Sequence, residues 1–421
     1  MNNFETANQI LTNILLKEIP FSAALKDVFD KNKEITRESR TLITGIVGCE
    51  LRHHLLLRSL MKEKFGYTKE EEEKYISIYL LLTNELYYHR FDFNQIVLNA
   101  SKLSDKPAKE LTAFVEELKA KEKLIPANIQ EGSLEYLSLR FNTPLWLVKM
   151  WDKQYGRTTT FKVLKGNSKT SKITCGVNTT NASKEKLLES NNFASSPIEN
   201  CLIYQGKEVL RSTDYSKHHQ VYLEKMPYLD IMNKLECDPF AKVAILSGYD
   251  NNLLLDYIFL KKPQSKIDVI VPEYRDYVKL KNDVNQFRLK NVQLYDAKAN
   301  VIESCISEPV DLFFLLARNT NFENFNRMPD YFLQCKNQKL DSLINEQRYS
   351  LEEAYGLLNV GGQLLYMVPT LNKKETSLLI KDFLLIHRDM SLVEEKHYLP
   401  FEEGESLMYY VKMIKTNHKY D

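Results

Sequence analysis

The sequence predicts a multidomain protein in which an all-helical amino-terminal part precedes a small α+β part and a carboxy-terminal α/β part. The chain has 421 residues, more than one ordinary hydrophobic core accommodates. Apolar residues recur at helical spacing through residues 1–125, whereas strand-like and helix-like runs alternate from about residue 241 onward. Hydrophobic residues make up 43% of the chain and charged residues 27%, a balance typical of folded soluble proteins.

The amino-terminal residues 1–125 carry the signals of several helices. Thr36 is a good N-cap, and Glu38 follows it in the first turn, where an acid suits the helix dipole. Gly45 and Gly48 lie inside this helix, and we expect them to let a neighbouring helix approach closely. Pro107 stands at the predicted start of the last helix of this bundle.

Residues 126–240 are predicted to mix helix and strand. The polar run ANIQEGS is interpreted as a linker. A helix is expected from Pro144 to Gly156, because proline suits a first helical turn and glycine suits a helix end. The later run ITCGVNTT predicts a strand.

From residue 241, apolar runs of strand length alternate with longer helical runs. The runs predicted as strands are AKVAIL, KIDVIV, NVQLY, VDLFFLL and QLLYMVP. Such alternation indicates a parallel sheet with helices on both faces. The last run, LMYYVKMIK, is predicted to be an edge strand.

Composition excludes several classes of protein. No apolar run reaches the roughly 18 residues of a membrane span, and the amino terminus shows no signal peptide. The six cysteines are scattered and form no CxxC pair, so neither a zinc site nor a disulfide framework is predicted. Free thiols fit a reducing compartment, and we expect a cytoplasmic protein without a metal site or a membrane partner.

Basic residues are concentrated in one stretch, although the formal net charge of the chain is only +1. Between residues 152 and 186 the acids are Asp152 and Glu185. The basic residues there are Lys153, Arg157, Lys162, Lys165, Lys169, Lys172, Lys184 and Lys186. This excess predicts contacts to the phosphates of a nucleic acid. A solvated, lysine-rich surface is the alternative interpretation.

Five segments follow one another in an order that points to a known family. They are TRESRTLITGIVGCELRHH from residue 36, PLWLVKMWDKQYG from 144, GVNTTNASKEKLLES from 176, RMPD from 327 and NVGGQLLYMVPT from 359. Together they resemble the Sun/Fmu-type (RsmB-like) ribosomal RNA cytosine-C5 methyltransferases over essentially the whole chain. Gly176 departs from that family's pattern, since an arginine is expected there.

The resemblance implies an architecture, a cofactor and a partner. It implies a NusB-like helical domain at 1–125, linker helices and a small RNA-contacting α+β domain at 126–240, and a Rossmann-like methyltransferase domain at 241–421. It also implies S-adenosylmethionine as cofactor and ribosomal RNA as partner. The high usage of Asn, Lys and Tyr, including 24 tyrosines, suggests an AT-rich bacterial genome.

The family's chemistry depends on two cysteines. A thiolate adds to C6 of cytosine and turns C5 into a nucleophile, and a second cysteine helps to release the product. Counted from RMPD and from Gly361-Gly362, these cysteines fall on Asn319 and Pro369, and neither side chain can form the covalent adduct. Cys305 and Cys335 lie outside both loops, and we interpret them as inert thiols rather than relocated nucleophiles.

The cofactor loop also departs from the family's pattern. The family has a glycine-rich turn after its first sheet strand, and the run SGYDNNLLLD stands there in this chain. Gly248 is the residue that would still allow the backbone to approach a cofactor closely. By resemblance, Glu273 falls where an acid holds the ribose and Asp296 where an acid contacts the adenine. Both are interpreted either as vestiges or as ordinary surface acids.

These observations lead to three hypotheses about function. The first is an RNA-binding pseudo-methyltransferase, with RNA contacts predicted at Lys162, Lys165, Lys169, Lys172 and Asn178. The second is an active, S-adenosylmethionine-dependent ribosomal RNA methyltransferase with a divergent site. The third is a non-catalytic partner of proteins in transcription or ribosome assembly.

Overall fold

The chain folds into two compact units. The computed structural model describes residues 2–68, 70–169, 172–247, 252–297, 301–325, 327–334, 340–402 and 406–417. The first, which we call the helical unit, comprises Met1–Ser168 and Asn324–Asn337; the second, the sheet unit, comprises Lys169–Glu323 and Gln338–Asp421. The domain boundaries that the sequence predicts, after residues 125 and 240, stay a prediction.

The helical unit is built from successive α-helices. They are α1 (Asn3–Lys17), α2 (Phe21–Lys31), α3 (Arg37–Phe65), α4 (Glu72–Thr83), α5 (Phe93–Ser104), α6 (Ala108–Ala120), α7 (Leu134–Arg140) and α8 (Leu145–Asn167). A π-helical turn, Asn84–Tyr88, follows α4 directly. The apolar faces of α1 to α6 share one buried core, as the helical spacing of the sequence predicts.

Local signals in the sequence set the ends and the packing of these helices. Thr36 caps α3 and accepts a hydrogen bond from the Ser39 amide at 3.2 Å, as predicted. A Cβ atom on Gly45 would collide with the ring of Tyr88, so glycine does permit a close approach there. Gly156 interrupts α8 with a φ of 79°, which explains the helix end predicted at this residue.

A segment from late in the sequence completes the helical unit. The residues around 324–334 return to it, and they include the short helix α15 (Tyr331–Gln334). Phe332 is buried in the helical core and stacks on His54 with ring centroids 5.5 Å apart. Asp330 Oδ2 accepts a hydrogen bond from the Phe21 amide at 2.8 Å, at the first turn of α2. No pattern in the sequence predicts this return, because long-range contacts leave no periodic signal.

The sheet unit begins with a small antiparallel sheet. Its strands are β1 (Ile173–Val177), β2 (Phe193–Ser195), β3 (Cys201–Tyr204) and β4 (Val221–Leu223), in the order β2-β3-β1-β4. The helices α9 (Lys184–Leu188), α10 (Asp214–Lys217) and α11 (Met226–Lys234) accompany them. The mixture of helix and strand predicted for this part of the chain is therefore confirmed.

A seven-stranded sheet forms the remainder of the sheet unit. Its strands are β5 (Val243–Leu246), β6 (Ile267–Val271), β7 (Val292–Asp296), β8 (Val310–Leu315), β9 (Leu358–Val368), β10 (Met390–Tyr398) and β11 (Met408–Lys415). The order is β10-β11-β9-β8-β5-β6-β7, with β5 to β9 parallel and β11 antiparallel to both of its neighbours. The associated helices are α12 (Leu253–Lys261), α13 (Tyr274–Gln286), α14 (Ile302–Cys305), α16 (Leu340–Gly356) and α17 (Ser377–Ile386). Separate apolar cores cover the two faces of the sheet, as predicted.

The position predicted for the last strand, at the edge of the sheet, was wrong. The run LMYYVKMIK forms β11, which lies between β9 and β10, and β10 is the edge. The continuous apolar character of β11 is typical of a strand covered on both faces. The edge strand β10 is largely exposed and carries Glu394, Glu395 and Lys396, which protect a sheet edge from further pairing.

Replacing Phe332 by Ala tests whether the returning segment supports the helical unit. Both tryptophans of the chain, Trp146 and Trp151, lie in α8, so their fluorescence reports on this unit. We expect the free energy of unfolding to fall by about 3–4 kcal/mol in urea titrations, because a buried aromatic ring leaves a cavity. Leu98→Ala, at a side chain that is 56% exposed, should change it by less than about 0.5 kcal/mol. Equal effects of the two substitutions would show that the segment contributes nothing.

Candidate functional site

The candidate site lies at the carboxyl edge of the parallel strands. Ser247 follows β5, Glu273 follows β6, Asp296 ends β7, Asn319 follows β8 and Pro369 follows β9. Because neighbouring parallel strands end on the same side, the predicted site residues share one edge of the sheet. Gly248, the predicted close-approach residue, lies outside the described residues.

The two predicted cofactor acids lie at neighbouring strand ends. Asp296 is in register with Val271 of β6, and Glu273 follows two residues after Val271. Both side chains are exposed, and the structure records no hydrogen bond or ion pair to either carboxylate within the described ranges. Two available carboxylates at this edge fit the hydroxyl and amino donors of a nucleoside.

The end of the loop that follows β5 is anchored on the small sheet. The Asn252 amide donates to Glu224 Oε2 at 2.7 Å, and its side-chain nitrogen donates to the carbonyl of Leu223. Asp256, in the first turn of α12, accepts a hydrogen bond from the Tyr222 hydroxyl at 2.7 Å. Sequence reasoning missed this cluster, although an acid inside the apolar run LLLDYIFL was a signal of a buried carboxyl group.

Burial perturbs both carboxyl groups of this cluster. Desolvation raises the pKa of Glu224 to about 7, opposed by the amides of Lys225 and Asn252 that donate to it. Desolvation and the neighbouring Glu224 raise the pKa of Asp256 well above its ordinary range. The two acids therefore retain a proton at pH values where isolated carboxylic acids are ionised.

Asn319 and Pro369, at which the resemblance predicts the family's thiols, both act in loop structure. The Asn319 amide nitrogen donates to the carbonyl of Ala317 at 2.9 Å, and its oxygen accepts from the Asn321 amide at 2.6 Å. The carbonyl of Pro369 accepts from the Glu323 amide at 3.3 Å. The Asn319 side chain is 9% exposed, so it presents little polar surface at this edge.

Glu375 joins the loops that follow β8 and β9. The residue is fully buried, at 0% exposure. Its Oε1 accepts hydrogen bonds from the Thr320 amide at 2.9 Å and from Gln347 Nε2 at 3.1 Å. Its Oε2 accepts from the Thr320 hydroxyl at 2.8 Å and from Asn372 Nδ2 at 3.0 Å. The Thr320 hydroxyl also lies 2.5 Å from that of Thr370, at the end of β9. A buried polar cluster therefore lies beside Asn319 and Pro369.

A buried ion pair continues this polar region. Lys225, directly after Glu224, contacts Glu323, and both residues are 8% exposed. Glu323 lies in the 3₁₀ turn Phe322–Phe325, just beyond Asn319 and its loop. Removing either partner would leave an uncompensated buried charge. The loop after β8 is thus held by Glu375 on one side and by Lys225 on the other.

The described thiols of the sheet unit lie away from this edge or resist ionisation. Cys175 and Cys201 are buried in the small sheet, and burial raises the pKa of each, to about 11 for Cys201. Burial also raises the pKa of Cys237, which follows α11. Cys305 is half-buried in α14, before the amino end of β8. Cys335 lies outside the described residues.

The residues predicted to contact RNA differ in their accessibility. Lys162 and Lys165 are exposed on α8, and Lys169 and Lys172 are exposed beyond it. Asn178 is 1% exposed, its side-chain nitrogen donates to the carbonyl of His219 at 2.8 Å, and its oxygen accepts from Thr180. These bonds use the Asn178 amide to hold a turn, and its contact with RNA stays a prediction.

The glycine at position 176, where the resemblance predicts an arginine, has a steric cause. A Cβ atom on Gly176 would collide with the ring of Tyr222, which is paired with it across β1 and β4. Tyr222 is also the donor to Asp256, so glycine and the buried carboxyl group belong to one local arrangement.

The described part of the chain lacks both a metal-ligand cluster and a membrane-spanning helix. No group of three His, Cys, Asp or Glu side chains there converges as metal ligands would. Within the same ranges, every helix is too short or too polar to cross a bilayer.

Comparison with known proteins identifies the fold. No protein-family profile matches the chain, and no curated protein matches its sequence. The crystal structure of PH0851 matches with a TM-score of 0.77 and 19% identity, over 99% of each chain. A methyltransferase homolog protein from Pyrococcus horikoshii matches with a TM-score of 0.59 and 16% identity, over 68% of this chain and 100% of that one. The crystal structure of NSun6 from Pyrococcus horikoshii with SFG matches with a TM-score of 0.59 and 14% identity, over 66% of this chain and 99% of that one. The chain therefore has a methyltransferase fold.

Glu375→Gln tests the buried cluster. An amide nitrogen would face donors that now bond to the carboxyl group, so we expect a loss of about 2–4 kcal/mol in the free energy of unfolding. Amide hydrogen exchange at Thr320 should accelerate with it. Glu308→Gln, at an exposed pair with Lys242, should leave the free energy of unfolding essentially unchanged. A Glu375→Gln protein as stable as the Glu308→Gln protein would contradict the role given to Glu375.

Glu224→Gln tests the raised pKa of the buried pair. Glu224 keeps its proton when folded up to about pH 7 but loses it near its ordinary pKa of 4.5 when unfolded. The contribution of protonated Glu224 to the free energy of unfolding is therefore fully present below about pH 4.5, and it is lost as the pH rises through about 7. Between pH 5 and 8, the free energy of unfolding of the unsubstituted protein should fall by on the order of 2 kcal/mol more than that of Glu224→Gln. The raised pKa of Glu224 would be refuted if the unsubstituted protein and Glu224→Gln lost the same free energy of unfolding between pH 5 and 8. It would also be refuted if Glu303→Gln, a control at an exposed acid, reduced that loss as much as Glu224→Gln.

Proposed function

We propose that this chain is an RNA-binding protein with a methyltransferase fold in which the thiol chemistry of cytosine-C5 methylation has been lost. The proposal rests mainly on which residues stand in the loops after β8 and β9. Asn319 and Pro369 stand at the family's cysteine positions, and the buried Glu375 cluster lies beside them.

Addition to C6 of cytosine requires a nucleophile that can also leave. A thiolate meets both requirements, whereas a carboxamide and a proline ring meet neither. The Thr320 hydroxyl, next to Asn319 in sequence, is an oxygen nucleophile, but it already donates to Glu375 and lies against the Thr370 hydroxyl. These bonds give the Thr320 hydroxyl a structural role. Because no thiol stands in these loops and this hydroxyl is already bonded, we propose that the chain does not attack cytosine.

RNA binding is supported by charge and by the resemblance. The stretch with Lys162, Lys165, Lys169 and Lys172 is exposed, and a cluster of lysines supplies phosphate contacts without sequence preference. The ordered segments of the Sun/Fmu-type family make ribosomal RNA the expected partner. The resemblance also leads us to propose that residues 1–125 are NusB-like, and the composition and scattered thiols support a bacterial, cytoplasmic protein.

An active methyltransferase with a divergent site is the second candidate. It is favoured by Glu273 and Asp296, whose exposed carboxylates would hold the ribose and adenine of S-adenosylmethionine. That cofactor, when bound, supplies an electrophilic methyl group. Cofactor binding alone would be compatible with either candidate, so the two must be separated by methyl transfer.

Reversing the charges of the lysine stretch tests the proposed RNA binding. We expect the substitution of Glu at Lys162, Lys165, Lys169 and Lys172 to weaken binding of ribosomal RNA fragments at least about tenfold at 100 mM salt and to reduce its salt dependence. The matched control carries Glu at four other exposed lysines of the helical unit, Lys26, Lys33, Lys62 and Lys109. Equal affinities of the two variants would remove the role given to this stretch.

Methyl transfer decides between the two candidates. Purified protein with labelled S-adenosylmethionine and unmodified ribosomal RNA should yield no labelled 5-methylcytosine under conditions where it binds that RNA. Incorporation of the label that is abolished by Glu273→Ala with Asp296→Ala would establish the second candidate instead.

A further inference from the structure

A groove in the sheet unit lies apart from the strand-end loops that hold Asn319 and Pro369. One wall is a face of α13, and the other is formed by β4 and the short elements before it. Its volume is about 510 Å³, and Asn252 and Leu255 of the α12 region contribute to its lining. A volume in this range is typical of pockets that hold a small molecule or one to two nucleotides.

Positive charge dominates the groove. Arg275 and Lys279 lie one turn apart on α13, and Arg211 faces them from the opposite wall. Asp283 is the acid that lines the same groove. Burial raises the pKa of Asp283, while Lys279 and Arg211, which line the same groove, oppose that rise. Arg275 Nε also lies 3.6 Å from Oδ1 of Asp276, just outside the lining, so three cations stand against two acids and leave one net positive charge.

The groove also has an apolar, aromatic side. Phe287 and Val278 line it together with His219, and the rings of His219 and Phe287 lie with centroids 4.7 Å apart. Gln286 Nε2 lies 3.2 Å from His219 Nδ1, so a hydrogen bond joins the two walls. These contacts fix the separation of the two walls at this end of the groove.

We infer that this groove binds one or two unstacked nucleotides of a single-stranded RNA, with phosphates on Arg211 and Arg275 and a base against Phe287 and His219. Guanidinium groups pair with phosphate oxygens, and aromatic rings stack on bases of any sequence. An RNA duplex would expose its phosphates but keep its bases stacked, so it would leave the apolar side unused.

This inference rests on the proposed RNA-binding function and gives it a second contact site. The lysine stretch supplies charge alone, whereas the groove combines charge with a surface for a base. Asn252 belongs both to the groove and to the anchored loop after β5. A strand in the groove would therefore pass near the carboxyl edge at which methyltransferases act.

Paired charge reversals test the groove. Arg211→Glu with Arg275→Glu should weaken binding of a labelled oligouridylate of about 12 nucleotides at least about tenfold in fluorescence anisotropy. The slope of log affinity against log salt concentration should fall by about 1.4, which corresponds to two phosphate contacts on a single strand. All substituted side chains are exposed, so folding should be retained, and circular dichroism checks this.

A matched control separates the groove from general electrostatics. Lys281→Glu with Lys290→Glu makes the same change of net charge nearby, at exposed side chains that do not line the groove. This control should retain affinity within about threefold, and RNA containing 4-thiouridine should crosslink to the peptide that contains Phe287 only when Arg211 and Arg275 are intact. Equal losses in both double variants, or crosslinking that persists in Arg211→Glu with Arg275→Glu, would overturn the inference.

The proposed function can fail separately. If the lysine variant loses RNA and the groove variant does not, the groove is refuted and RNA binding stands. If the unsubstituted chain binds no RNA, the proposed function is refuted, and the groove with it.

Discussion

The buried carboxyl group of Glu375 is the constraint on which the candidate site depends. Taking such a group out of water costs several kcal/mol unless donors replace its hydration. Four hydrogen bonds from Thr320, Gln347 and Asn372 do so here. Two of those donors belong to the loop after β8 and one to the chain just after β9, so the same bonds that satisfy the acid also fix the two loops together. The two loops in which the resemblance predicts a pair of thiols therefore serve to hold the structure together.

Other buried polar groups extend this arrangement along the sheet edge. Lys225 neutralises Glu323 beyond Asn319, and its neighbour Glu224 holds the amide of Asn252 at the end of the loop after β5. Glu224 is almost fully removed from water, and this burial raises the pKa of its carboxyl group. On the outer strands, in contrast, Glu273 and Asp296 stay exposed. Accessible acids therefore lie at the β6–β7 end of this edge, whereas the polar groups at the β8–β9 end are hydrogen-bonded to one another.

The sequence predicted the architecture well because each element has a local cause. Thr36 and Gly156 mark helix ends through capping and a positive φ, and alternating apolar runs indicated the parallel sheet. The order of the last two strands was wrong, since β10 has little apolar character to reveal it and the apolar β11 was taken for the edge. Positions 319 and 369 were placed at the strand ends by counting from nearby segments.

What could not be predicted depends on contacts between residues far apart in sequence. Phe332 enters the helical core, Glu375 meets Thr320, and Arg211 faces α13, yet nothing near any of them in sequence indicates a partner. Asp256 is different, because an acid within an apolar helix already signals burial with a polar neighbour.

The central claim is that this fold binds RNA without attacking it. RNA containing 5-fluorocytidine tests this most directly, because fluorine at C5 blocks the release of an enzyme that has added to C6 and methylated the base. With S-adenosylmethionine present, the account predicts a complex that dissociates fully in denaturing gel electrophoresis. A covalent protein–RNA adduct that survives denaturation would contradict it.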